Sequence, residues 1–361
     1  MLTEAHSLAV PAALAPADDD LVGHLLFALK HEGVNLQVLT AAREFMAGLS
    51  GDLLDRTLSC AYLHETQDSD AIEKEAPSED KARNFMRLLR QAHEPRRVVE
   101  QYLMQLQASI ISNPYNEAVQ YRAQQNWLSD GQRGSLGVTY VPPPPEHLPL
   151  LMAAWERFAN RDAASINPLM AASIVSFGFV FLHPFMDGNG RLSRFLFHKA
   201  LCQSGQLKDG TLLPVSVAMK RHEAEYIRVL QAFSRPAREL VSVRAAGEGD
   251  FDFTFKCSDT VFRYWDATAC VEFGLRMAQE ALELELRKEA DFILHFDAVR
   301  KSIDELYDLR GSTLAVLVSI ALNTSGVISA TKRTRYAEEV PEAAFAAIEL
   351  RAREVLGLSG A

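Results

Sequence analysis

Leu182-His183-Pro184-Phe185-Met186-Asp187-Gly188-Asn189-Gly190-Arg191-Leu192-Ser193-Arg194 sets a titratable base, a hard-metal ligand, a small-residue turn and two guanidiniums into one short stretch. Upstream lies Ile174-Val175-Ser176-Phe177-Gly178-Phe179-Val180-Phe181 and downstream Phe195-Leu196-Phe197-His198-Lys199-Ala200-Leu201. Both flanks are apolar enough to be buried, so the polar stretch reads as a loop held between two core segments. Its composition suits the handling of phosphate.

Each residue type has a reason to be there. An imidazole titrates near pH 6.5, so His183 can be neutral at cellular pH and take a proton from an attacking hydroxyl. Asp187 offers the single carboxylate with which Mg²⁺ is commonly held, the rest of its shell coming from water and phosphate oxygens. Gly188, Asn189 and Gly190 lack bulk, so their backbone N–H groups can approach an anion where the turn opens a helix. Arg191 and Arg194 are three apart, on one face of that helix, with forked donors for further phosphate oxygens. A calcium loop is the alternative use of Asp187 and Asn189. It fails at Arg191, Leu192 and His198, where such a loop needs an oxygen ligand, a glycine and a closing carboxylate.

Read as H-P-F-x-D-G-N-G-R-x-x-R, the stretch His183 to Arg194 resembles the signature of the Fic family at every specified position. The resemblance implies an all-α fold and transfer of AMP from ATP to a hydroxyl side chain of a protein, with Mg²⁺ and release of pyrophosphate. It implies that His183 is the base, that Asp187 holds Mg²⁺, that Gly188, Asn189 and Gly190 bind the α-phosphate, and that Arg191 and Arg194 take the outer phosphates. The position of Gly190 is Lys in the related Doc-type toxins, which phosphorylate instead, so Gly190 favours adenylylation.

Ser69-Asp70-Ala71-Ile72-Glu73-Lys74 resembles the family's inhibitory helix, Ser or Thr, three residues, Glu, then Gly or Asn. The resemblance implies that Glu73 pairs with Arg194 and fills the γ-phosphate space; Lys74 departs from the pattern. On the residues alone the same stretch is a solvated helix face in an acidic region. Tyr121-Arg122-Ala123-Gln124-Gln125-Asn126-Trp127 leads to Val138, Thr139, Tyr140 and Val141 and then to Pro142 through Pro145, which reads as a short flap closed by a polyproline segment, or as a packed surface loop. By resemblance this is the β-hairpin that docks the target. Tyr226, in the helix after the signature, is placed by resemblance beside the adenine.

With 361 residues, 48% of them hydrophobic and 23% charged, the chain can bury at least one large core. Helical spacing in Val98 to Ile110, Leu148 to Phe158 and Glu272 to Phe292 gives an all-α class. Arg235 to Asp252 reads as a linker, dividing the chain into an N-terminal helical region (1–110), a catalytic core (111–240) and a C-terminal helical domain (241–361). Leu314 to Tyr336 has the form of two helices about a Gly-containing turn, which suits either a DNA-binding helix-turn-helix or a packing lobe. A net charge of −10 argues against general nucleic-acid binding. Met1 to Asp20 makes a poor signal peptide, and no apolar run approaches the roughly 20 residues of a membrane helix, so the expected compartment is the cytoplasm. Cys60, Cys202, Cys257 and Cys270 show no metal-ligand spacing and suit reduced thiols. The expected function is a protein adenylyltransferase acting on Ser, Thr or Tyr of a target or of itself. Removal of AMP by the same site and a non-catalytic, nucleotide-sensing or DNA-binding regulator are the alternatives. A homo-oligomer shielding the inhibitory helix is compatible with the sequence and not required by it.

Overall fold

The computed structural model describes residues 37–74, 79–111, 117–208, 210–247 and 250–358; the leader reading at Met1 to Asp20 and part of the acidic stretch after Glu73 lie outside them. The chain divides into two compact units, one holding the described residues through Ala47 together with Ala61–Leu282, the other Gly48–Cys60 together with the described residues from Glu283.

The first unit is built around helix α6 (Pro168–Leu182), whose residues are apolar on almost every side and almost all buried. A helix apolar all round belongs in the middle of a core. Asn167 starts it, its side chain accepting from the N–H groups of Leu169 and Met170, with Pro168 at the first position where the missing donor costs nothing. Helices α5 (Leu148–Asn160), α7 (Asn189–Gln203) and α11 (Thr268–Glu280) pack against it. The aromatic rings of Phe177, Phe181, Phe233 and Trp265 fill the joints, with centroids 4.3 Å apart for Phe181 and Phe233 and 5.1 Å for Phe181 and Trp265. Around this centre run α1 (Val38–Ala47), α3 (Glu79–Arg90), α4 (Glu100–Ile110), α8 (Val215–Arg221), α9 (Glu223–Glu239) and the short α10 (Thr260–Arg263). Helix α2 (Gly51–Ile72) contributes its residues from Ala61 onward to this unit.

Two small antiparallel hairpins interrupt the helices: β1 (Leu128–Ser129) with β2 (Val138–Tyr140), and β3 (Val241–Gly247) with β4 (Asp250–Phe255). The second corrects the linker expectation, because residues 235–252 are the end of α9 followed by a paired hairpin in which Val241 faces Phe255 and Val243 faces Phe253. Its cause is the alternation Asp250-Phe251-Asp252-Phe253-Thr254-Phe255, which puts three phenylalanines on one face. That face meets Trp127, Val138 and Val141, with Trp127 edge-on to Phe251 at 5.4 Å.

In the second unit α12 (Arg287–Asp304), α13 (Gly311–Asn323), α14 (Ala330–Tyr336) and α15 (Glu342–Val355) enclose Val299, Ile303, Leu317, Val318, Phe345 and Ile348. The α13 to α14 connection turns through Ser325 (φ 52°) and Gly326 (φ 78°), and Ser329 caps α14. Arg333, on α14, is committed within the unit, to Glu342, to Glu349 at 2.7 Å and over the Phe345 ring. No described helix is long and apolar enough to cross a membrane.

Candidate active site

Helix α6 ends at His183, which takes the left-handed conformation (φ 50°, ψ 58°) while its N–H still closes the last turn on the Phe179 carbonyl at 3.0 Å. Pro184 follows and cannot continue the ladder. The imidazole Nδ1 lies 3.0 Å from the Val180 carbonyl oxygen. A carbonyl only accepts, so Nδ1 carries the proton and Nε2 keeps its lone pair. Desolvation pushes the His183 pKa down to about 4, the nearby Arg122 guanidinium acting in the same direction, while the Val180 carbonyl, Glu73 and Asp187 oppose it. The ring is therefore neutral at pH 7 and presents a bare Nε2, the form a general base needs.

The turn after it is tightly built. Gly188 has φ 84°, a conformation that side chains resist, and a Cβ there would also meet Ile111 at 3.2 Å. Asn189 is buried, its Oδ1 accepting from the Phe185 N–H at 3.0 Å and its Nδ2 donating to the Phe185 carbonyl at 2.7 Å. The Asn189 side chain, expected at the α-phosphate, thus braces the loop from which α7 starts. Asp187 stands at the mouth, about one-third exposed, its Oδ1 accepting from the Gly188 N–H at 2.6 Å and lying 3.6 Å from Arg191.

The two arginines of α7 are both engaged by the end of α2. Arg194, 1% exposed, donates from Nε to Ser69 Oγ at 2.8 Å and from one terminal nitrogen to the Ser69 carbonyl at 2.7 Å and to Glu73 Oε1 at 2.8 Å. Burial opposes its charge, but the Glu73 carboxylate holds its pKa above the ordinary value. Arg191 is also buried, donating to the Ile110 carbonyl at 2.8 Å and lying 3.8 Å from Asp70. The Glu73–Arg194 pair that the resemblance implied is thus present, Ser69 lies on the same guanidinium, and Asp70, given no role in the sequence reading, lies beside Arg191.

The same face of α2 continues back to Glu65, one turn before Ser69 and two before Glu73. The Glu65 carboxylate is completely buried and takes His198 Nε2 at 2.6 Å, the Ser216 N–H at 2.7 Å and Ser216 Oγ at 2.5 Å. Lys220 donates to the Ala71 carbonyl at 3.3 Å. Lys74 ends the helix in the left-handed region (φ 59°), its N–H on the Ala71 carbonyl. That conformation is the one Gly and Asn adopt at least cost, which accounts for the position at which this chain departs from the inhibitory pattern.

Residues 138–141 form the inner part of the flap. Val138, Tyr140 and Val141 are buried, Tyr140 donating its hydroxyl to the Phe181 carbonyl at 2.5 Å; Thr139 alone faces out. The Val138 carbonyl is taken by Arg238 Nε at 2.8 Å. The exposed strand is β1, with Leu128 42% accessible, so the docking edge expected on β2 is the less open of the two. A cleft of about 520 Å³ opens between the flap and α9, lined by Leu128, Leu136, Tyr140, Phe181, Ile227 and Leu230. Tyr226, expected beside the adenine, is buried and stacked on Phe273 at 5.8 Å, its hydroxyl turned to Arg194 and Ser193. Burial raises its pKa.

The segment that holds this base, carboxylate and pair of guanidiniums is also the one that comparison with known proteins matches. Residues 97–201 match the model of the Fic/DOC family. Over this stretch the chain is similar to the Fic/DOC family. Curated relatives named protein adenylyltransferase Fic include that of Drosophila persimilis, 29% identical over 185 residues covering 48% of this chain and 32% of the relative. That of Drosophila yakuba is 42% identical over 67 residues, 18% of this chain and 14% of the relative. The chain thus spans about a third or less of the length of these relatives. Among solved structures, a Fic domain-containing signalling protein from Bacteroides thetaiotaomicron superposes with a TM-score of 0.52 at 16% identity, covering 71% of this chain and 96% of its own. A Fic family protein from Desulfovibrio desulfuricans gives 0.50 at 20% identity over 86% and 89%. These likenesses establish a Fic fold, helical with small antiparallel strand pairs, as the sequence led one to expect.

Proposed function

We propose that the protein is a Mg²⁺-dependent adenylyltransferase that moves AMP from ATP to a hydroxyl side chain of a protein. The observation that carries this reading is His183: its Nδ1 is committed to the Val180 carbonyl and its pKa is held near 4, so Nε2 is a standing proton acceptor at the mouth of a helix N-terminus. In the reaction Nε2 takes the proton of the target hydroxyl as that oxygen bonds to the α-phosphorus; the bond to the bridging oxygen breaks and pyrophosphate leaves with its electron pair. Backbone N–H groups of Gly190 and its neighbours and the α7 dipole stabilise charge on the α-phosphate. Arg194, when released by Glu73, takes the outer phosphates bidentately.

Among the described residues no group of three or more His, Cys, Asp or Glu is arranged to hold a metal, and Asp187 is a single, partly exposed carboxylate beside the anion-binding turn. That donor set fits Mg²⁺, which keeps most of its waters and phosphate oxygens and needs one protein carboxylate; bound there it would neutralise phosphate charge. Glu73, on Arg194 and against Gly190, occupies the place of the outer phosphates, so ATP competes with a bound carboxylate and turnover is restrained. The β1 edge and the cleft beneath the flap are where an extended target segment is received.

ATP labelled at the α-phosphate and, separately, at the γ-phosphate tests the chemistry when the Glu73→Gly protein is incubated with cell lysate. Only label that is lost when His183→Ala is added to Glu73→Gly is scored, since lysate kinases add γ-label of their own; such label from the α-position alone is expected, and such label from the γ-position would mean phosphorylation and defeat the proposal.

A further inference from the structure

The loop that carries the base is held by a segment to which neither the signature nor the comparisons assign a role. Three consecutive carbonyls of that loop accept hydrogen bonds from residues 122–126. The His183 carbonyl takes Arg122 Nε at 2.9 Å, the Pro184 carbonyl takes the Arg122 backbone N–H at 2.8 Å, and the Phe185 carbonyl takes Asn126 Nδ2 at 3.0 Å. The rest of the guanidinium is spent on the Gln124 carbonyl at 3.2 Å and the Pro143 carbonyl at 2.5 Å. Arg122 is 5% exposed, and its hydrogen bonds among the described residues go only to carbonyl oxygens. Burying a guanidinium with dipoles rather than a carboxylate is costly, and burial lowers its pKa to about 10. A chain that needed only a filled core would do better with an apolar residue here.

We propose that Arg122 is a positioning residue for His183, pinning the left-handed His183–Pro184 turn to the proline segment so that imidazole Nε2 faces the incoming hydroxyl. The inference rests on the adenylyl-transfer reading. His183 is a non-glycine residue in the left-handed region (φ 50°), a conformation side chains resist, and it persists only if its surroundings over-determine it. Nδ1 fixes the ring about the side chain, and Arg122 fixes the backbone from which the side chain springs. Its forked donors reach two carbonyls of different segments, His183 and Pro143, at once; a lysine keeps the charge and loses the fork. A displacement of about 1 Å at the base is enough to lower turnover by on the order of a hundredfold.

The test compares Glu73→Gly, Glu73→Gly with Arg122→Lys, and Glu73→Gly with Arg122→Gln, with rates normalised to nucleotide-binding sites by titration so that unfolded protein is not scored as slow protein. The expected result is kcat lower by tens of fold or more in both Arg122 variants, with KM for ATP within about twofold, because the phosphate seat on α7 is untouched. Unchanged kcat per site overturns the proposal, as does failure of both variants to fold, which makes Arg122 merely structural. If Glu73→Gly itself transfers no AMP that His183→Ala abolishes, the underlying activity fails and this role with it; a working control beside a normal Arg122 variant removes only the role of Arg122.

Discussion

The Glu73 carboxylate rests on the bare Cα of Gly190: a Cβ at position 190 would lie 2.0 Å from Glu73 Oε1. On the proposed reading the glycine that leaves room for phosphate also leaves room for Glu73, so ATP and that carboxylate would contest one surface. Gly190→Ala is therefore expected to cost about 1–3 kcal/mol of stability by overpacking in the wild-type background and distinctly less beside Glu73→Gly. Urea denaturation of the four proteins of that cycle measures the coupling; equal costs in both backgrounds would show that the two residues do not meet.

Lys74 sits in the left-handed region at the end of α2, where glycine has no penalty. Lys74→Gly should relieve on the order of 1 kcal/mol and firm the last turn that presents Glu73. The expected readout is a higher melting temperature with basal AMP transfer reduced by up to about fivefold. A rise in transfer would mean that the turn is loosened by the glycine rather than relaxed.

The depressed pKa of His183 makes stability depend on pH with a definite sign. Between about 6.5 and about 4 the unfolded chain binds a proton that the folded one refuses, so this contribution is complete above pH 6.5 and is lost as pH falls through that window. Wild type is expected to lose stability relative to His183→Gln on acidification from pH 7 to 4.5, followed by denaturant melts. A difference that does not move with pH contradicts the assignment.

Glu65 is the buried end of the α2 face that carries Ser69 and Glu73. Glu65→Ala strips partners from His198 and from both Ser216 donors, and a cost on the order of 3 kcal/mol is expected, with faster amide exchange along residues 66–73. Protection unchanged in that turn would separate Glu65 from the seating of Glu73.

The signature His183 to Arg194 was legible because its chemistry is local: base, carboxylate, turn and cations follow one another along the chain, and the apolar flanks announced α6 and α7. The Ser69 to Glu73 element was legible only by resemblance, since nothing in an acidic helix face says what it touches. What Arg122, Asp70 and Glu65 touch left no readable signal. Each works by meeting a group distant in sequence, Arg122 on His183 and Glu65 on Ser216, and a lone charged residue looks the same whether buried or solvated. The pairing of Val241–Gly247 with Asp250–Phe255 was different, for the alternating phenylalanines of Asp250 to Phe255 carried a strand period that the Gly-bearing composition before them concealed. Asn189 and Arg191 were tied to the nucleotide by the signature and Tyr226 by resemblance in the following helix; their burial among partners distant in sequence is not written in any motif.

The most direct measurement is intact-protein mass after wild type, Glu73→Gly, and Glu73→Gly with His183→Ala are each incubated with Mg²⁺, ATP and an excess of the proteins that acquire α-label from lysate. The account expects the mass of one AMP on those proteins, more with Glu73→Gly than with wild type and none once His183 is replaced. Equal addition by the protein lacking His183 would contradict it.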